Sequence, residues 1–179
     1  NNPNLSNFYR IFSLENDFKD SYGYKSNSKG FVYALQYKIN DYVDSNISIK
    51  LSTTKGFSPL NSSDTSISDN IGNFDDLTLS YSINRDTTND LFYPNDGSYN
   101  DLSINYQPED ISDNSLIKLT YSNRIFFKNP RNENFIFTTN KIGLAESLNG
   151  NLKTNNAFNL GGLSFKGFDY KGIGPLSEN

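Results

Sequence analysis

The stretch Leu77-Thr78-Leu79-Ser80-Tyr81-Ser82-Ile83-Asn84 decides the fold. Its apolar residues Leu77, Leu79, Tyr81 and Ile83 alternate with the polar Thr78, Ser80, Ser82 and Asn84. Successive side chains of a strand point to opposite faces, so this stretch is a strand with one apolar and one polar side. Working outward, Phe31, Tyr33, Leu35, Tyr37 and Ile39 alternate with Val32, Ala34, Gln36, Lys38 and Asn40, the small apolar pair Val32 and Ala34 blurring the contrast at the start. Shorter versions run through Ile47, Ile49 and Leu51, through Leu102, Ile104 and Tyr106, and through Ile117, Leu119 and Tyr121. The pattern predicts seven strands, near 8–17, 30–40, 45–54, 75–85, 98–107, 115–127 and 134–145. No stretch carries a helical stripe.

Composition agrees with an all-β chain. Aromatic residues make up 15% of the 179 residues, Trp, Met, Cys and His are absent, and the polarity comes largely from neutral Asn and Ser. Such a mixture suits strands and turns better than helices. A formal net charge of −4 and a pI near 4.8 argue against nucleic acid as a partner, which calls for clustered Lys and Arg. Without His or Cys, neither a Ser-His-Asp nor a Cys-His nucleophile can be assembled, and zinc has no favoured ligand, so neither an enzyme nor a cofactor is expected. Asp64, Asp69, Asp75 and Asp76 lack the spacing and central glycine of a calcium loop and read as a solvated loop. Gly161-Gly162 does not lie between a strand and a helix, which leaves a phosphate-binding loop without support.

A mean hydropathy of −0.64, with no window near the roughly 20 consecutive apolar residues of a spanning helix, excludes a helical membrane protein. A β-barrel passes that test, because only alternate residues face lipid. Several predicted strands reach the roughly 9–11 residues that cross a bilayer at a tilt. A soluble sandwich alternates equally well with its apolar side turned inward, so alternation alone leaves both architectures open. The links favour the barrel. In an up-and-down order, 18–29, 55–74, 108–114 and 146 onward fall on one side, and 41–44, 86–97 and 128–133 on the other. The first set is long and rich in Ser, Asn, Asp and Gly, as extracellular loops are, and the second is mostly short, as periplasmic turns are. The chain starts at Asn1 with no initiator Met or charged-then-apolar leader, so any signal peptide is expected to lie upstream or to have been removed.

Two segments stand apart. The first is Arg85-Asp86-Thr87-Thr88-Asn89-Asp90-Leu91-Phe92-Tyr93-Pro94-Asn95-Asp96-Gly97-Ser98. Pro94 fixes φ and removes a donor, and Asp96-Gly97 can supply the positive φ of a tight turn. The second is Phe158-Asn159-Leu160-Gly161-Gly162-Leu163-Ser164-Phe165-Lys166-Gly167-Phe168, followed by Gly172-Ile173-Gly174-Pro175. Its glycines and proline rule out a regular strand, and its aromatics give a loop apolar material to pack with.

Together, in this order and separated by two strands, the segments resemble the Omp85 superfamily of outer-membrane barrels, most closely its barrel-assembly factors. Arg85, Asp86, Phe92, Tyr93, Pro94 and Gly97 resemble the periplasmic turn in the middle of those barrels. Gly161, Gly162, Lys166, Gly167, Phe168, Ile173, Gly174 and Pro175 resemble the motif of the long sixth extracellular loop, which in the family folds back into the lumen. Lys166 stands where the family usually has Arg, held by acidic side chains of later strands. Lysine keeps the charge and loses the planar fork that grips a carboxylate through two hydrogen bonds.

The resemblance implies that residues 1–179 are part of a single antiparallel transmembrane β-barrel domain of about seven strands. Residues 146–179 would form the long sixth extracellular loop, with no periplasmic domain inside the stretch. It further implies a Gram-negative outer-membrane protein that folds and inserts barrel proteins. Its partners would be outer-membrane lipid, unfolded outer-membrane protein clients and accessory assembly lipoproteins. A two-partner secretion or translocation-assembly transporter shares the loop motif that contains Lys166, so these residues separate it poorly from an assembly factor. A passive porin or a soluble adhesive β-module shares only the alternation.

Overall fold

The computed structural model describes residues 8–21, 24–57, 71–129, 131, 134–153, 156–158, 160 and 167. It contains seven strands: β1 (Phe8–Ser21), β2 (Tyr24–Asn40), β3 (Val43–Phe57), β4 (Gly72–Asp86), β5 (Gly97–Gln107), β6 (Leu116–Lys128) and β7 (Phe135–Ser147). Each pairs antiparallel with the next, giving one up-and-down sheet in the order β1 to β7, with β1 and β7 at its edges among the described residues. All seven expected strands are present. They run from 11 to 17 residues, beyond the usual soluble strand and long enough to cross a bilayer.

Two expectations are corrected. The predicted link 18–29 is mostly strand, since β1 continues to Ser21 and β2 begins at Tyr24. The segment Lys25-Ser26-Asn27-Ser28-Lys29 has no apolar alternation. It is held extended by ladder bonds from both sides, with Ser28 opposite Asp17 of β1 and Thr54 of β3. Paired neighbours can impose a strand where no side-chain pattern announces one. Asp75 and Asp76 are likewise in β4 rather than a solvated loop, and Asp76 is buried. Asp64 and Asp69 lie outside the described residues.

The link after β5 explains that burial. Pairing of β4 with β5 begins only at Leu79, opposite Tyr106, which leaves the start of β4 without a strand on that side. Residues 112–114 take its place. Asp113 N donates to Asp75 O at 3.0 Å and Asp75 N to the Asp113 carboxylate at 2.7 Å. Ser112 Oγ both accepts from Leu77 N and donates to Leu77 O, each at 3.1 Å. Asn114 donates through N and Nδ2 to the Asp76 carboxylate at 2.9 and 2.8 Å. Backbone groups that a neighbouring strand would have satisfied are thus satisfied by a loop.

The register sorts the side chains into two faces. One carries rows such as Leu35–Ile47–Tyr81–Ile104–Leu119–Leu144. The other carries Gln36–Asn46–Ser82–Ser103–Thr120–Gly143 and the Lys50–Glu15 ion pair at 2.6 Å. Among the described residues no second layer covers the apolar face. Leu14 is 87% and Phe12 67% exposed, and the only buried apolar side chains among the described residues are Ala34, Leu116 and Phe126. A soluble sandwich buries its apolar face against a second sheet, whereas a barrel wall presents that face to lipid and the polar one to its lumen. The sheet is a section of such a wall, apolar outside and polar inside.

Candidate functional site

The 87–96 turn and the loop that leads into the second segment leave from opposite ends of the sheet. The turn 87–96 joins β4 to β5 at the end that also holds the Asp41-Tyr42 turn and the β6–β7 link. The loop after Ser147 leaves from the other end.

At the first end, Arg85 and Asp86 are the last residues of β4. Asp86 N donates to Tyr42 O at 2.8 Å, which ties the turn to its neighbour, and Asp86 Oδ1 accepts from Thr88 N and Oγ1 at 2.9 and 2.7 Å. Thr87 then closes on Ser98, its N donating to Ser98 O at 2.8 Å while Ser98 N donates to Thr87 Oγ1 at 3.2 Å. Inside this clasp Asn89 Oδ1 accepts from Asn95 N and Asp96 N, both at 3.1 Å. Asp90 Oδ1 accepts from Phe92 N at 2.8 Å and Tyr93 N at 2.9 Å, and these two amides hold its carboxyl below the usual carboxylate range, Tyr93 contributing most. Gly97 has φ of 96°, and a Cβ there would collide with the Thr87 carbonyl. Every side-chain acceptor in these bonds belongs to an Asp, Asn or Thr of the segment itself.

The clasp pushes an apolar tip outward, with Phe92 80% and Tyr93 85% exposed. Pro94 and these two rings wall a hollow of about 560 Å³ together with Phe126, Phe135 and Phe137, next to Arg124 and Lys128. Phe126 lies on the polar, inward face, with ring centroids 5.9 Å from Phe137 and 6.4 Å from Phe135. Sequence reasoning missed this aromatic mouth. The available signal was a break in alternation: Ile125-Phe126-Phe127 and Phe135-Ile136-Phe137 are apolar on both faces.

At the other end, the loop after β7 turns back over the inward face. Lys118 Nζ donates to Asn156 O at 2.9 Å and stands 4.4 Å from the centre of the Phe158 ring. That ring fills the space above Gly143, where any side chain would overlap it. Lys153 Nζ sits 3.6 Å over the Phe74 ring. Phe74, Lys118 and Gly143 share the inward face of β4, β6 and β7, so the loop is seated on the lumen side before its glycine-rich motif begins. Of that motif, Gly167 has φ of 98° and is exposed. Gly161, Gly162, Lys166, Phe168, Ile173, Gly174 and Pro175 lie outside the described residues.

Over residues 2–179 the sequence matches the family model described as the Omp85 superfamily domain. No curated protein matches it. Among solved structures, BamA from Haemophilus ducreyi lacking POTRA domains 1–3 is similar in fold, with a TM-score of 0.76 at 16% sequence identity. The match covers 94% of this chain and 35% of that one, so the chain spans about a third of that protein's length.

Proposed function

The chain belongs to the Omp85 superfamily, and on that premise we propose that it is a barrel segment of a factor that folds and inserts other β-barrel proteins into the outer membrane of a Gram-negative cell. The observation that carries the reading is the loop seat. A lumen that holds its own loop through Lys118, Gly143 and Phe158 is partly filled, unlike an open diffusion pore. The fold similarity to BamA supports the same reading. The proposed work makes and breaks no covalent bond. Unpaired strand edges are costly in lipid and act as templates for pairing, so a barrel with a weak seam can guide an incoming strand. The clients would be unfolded outer-membrane proteins arriving at the end that carries the 87–96 turn, helped by accessory lipoproteins. The opposite end, from which the loop after Ser147 leaves, would face outward.

Depletion of the full-length protein tests this. Loss of several unrelated folded barrels from the outer membrane, followed by arrested growth, is the expected result. Loss of one secreted protein with normal barrel assembly would instead make the chain part of a secretion transporter.

A further inference from the structure

The outward face of β1 to β4 changes character along its length. Leu14, Phe31, Leu51 and Leu77 form its last apolar row toward the loop end. Asn16, Lys29, Thr53 and Asp75 form the next row, and Phe18, Asn27, Lys55 and Asn73 the one beyond it. This polar overhang exists because β2 starts at Tyr24, although the apolar alternation starts only at Phe31. Lys29 and Lys55 are diagonal neighbours on one face, roughly 7–8 Å apart at their origins. Both are exposed, and neither has an ion-pair partner among the described residues.

Two hollows open here and share Lys29, Thr53 and Asp75. The upper, about 780 Å³, also includes Lys55, Asn27 and Asn73. The lower, about 720 Å³, includes Leu14, Phe31, Leu51, Leu77 and Ile111. A cationic, amide-lined recess directly above an apolar one matches the layout of a lipid molecule, anionic headgroup over acyl chains. We propose that this site binds a phosphorylated lipid of the outer leaflet, its phosphate between Lys29 and Lys55 and its chains along Leu14, Phe31, Leu51 and Leu77. Lysine ammonium groups serve phosphate as point charges, and a site at the headgroup boundary is screened less than one in open water. Asp75 works against the ligand. Its carboxylate accepts from Thr53 Oγ1 at 2.6 Å in the row between the two recesses, so it lowers affinity for any anion.

The choice of the outer leaflet rests on the orientation proposed above, and the test separates the two. Full-length protein is purified in a zwitterionic detergent and mixed with a bisphosphorylated diacyl glycolipid or with its dephosphorylated form, and retained lipid is counted by native mass spectrometry. Wild type is expected to retain the phosphorylated form selectively. K29Q/K55Q should retain roughly tenfold less, as expected for losing charge-assisted hydrogen bonds. D75N, which keeps an oxygen for Thr53, should retain more than wild type, and K29R/K55R should match wild type. Equal retention of both lipids, or no loss in K29Q/K55Q, would overturn the site. Normal barrel assembly alongside that result would leave the proposed function standing. Selective lipid retention without any assembly activity would remove the function and leave the lipid site.

Discussion

The ring of Phe158 occupies the space in which a side chain on Gly143 would lie. The loop therefore meets the barrel wall through a position kept empty on β7. G143V in the full-length protein should expel the ring. Valine is a good strand former, so any loss reflects the lost seat, and overpacking of this kind costs about 1–3 kcal/mol. Added protease should cut the 153–158 segment faster in folded G143V than in wild type, and equal rates would show that the seat does not hold the loop.

Lys118 holds the same segment by different chemistry, through a hydrogen bond to the Asn156 carbonyl and a position near the face of Phe158. K118M keeps the apolar stem and loses both interactions, about 1–2 kcal/mol together. A double-mutant cycle of K118M with F158L, read from unfolding midpoints in lipid, should show positive coupling. Strict additivity would mean that the two residues do not act on each other.

Gly97 sets the shape of the opposite end. At φ of 96°, and with the Thr87 carbonyl where a Cβ would be, no other residue fits without moving the Thr87–Ser98 clasp. G97A should lower barrel stability by about 1–3 kcal/mol, the usual cost of a side chain in such a backbone region. An unchanged urea midpoint for the barrel refolded in lipid would show that the clasp is not fixed.

Asp90 makes that turn sensitive to acid. Its carboxyl is held below its ordinary value of 3.8 by the amides of Tyr93 and Phe92. A lowered folded pKa gives stability that is fully present above 3.8 and is lost as pH falls through the folded value. The Phe92 and Tyr93 amides should therefore keep their hydrogen-exchange protection from neutral pH down to about the ordinary carboxylate range and lose it in stronger acid. D90A should lack the protection at every pH, and protection that ignores both acid and D90A would assign the turn's order to other contacts.

The sequence shows the middle of the wall well, because lipid on one side and a polar lumen on the other force Leu77 to Ile83 into strict alternation and Phe31 to Ile39 into one blurred only by Val32 and Ala34. Beyond the apolar belt that constraint ends. Lys25 to Lys29 therefore read as a link, although neighbouring strands hold them in β2. Arg85 to Gly97 could be recognised as a turn because its Asp, Asn and Thr residues bond to backbone a few positions away. The Phe158 seat on Gly143 and the diagonal of Lys29 and Lys55 depend on loop return and strand register, which no local pattern records. The wall was thus legible and the seat was not.

The same wall predicts how the isolated stretch behaves. Among the described residues no further strand pairs with the outer edge of β1 or of β7. Those edges carry Phe12 at 67%, Leu14 at 87%, Ile142 at 65% and Leu144 at 68% exposure. Exposed apolar edges of this length pair with one another, and lipid penalises an open edge more severely than water does. Seven strands do not match the even count of closed bacterial single-chain barrels, and nothing within the described residues covers either edge. Residues 1–179 expressed alone should form large aggregates in plain buffer by light scattering, and should become soluble when co-folded in detergent with the remaining strands of the barrel. A monomer that melts cooperatively in plain buffer would mean that the apolar face finds cover within this chain, and the lipid-facing assignment would fall with it.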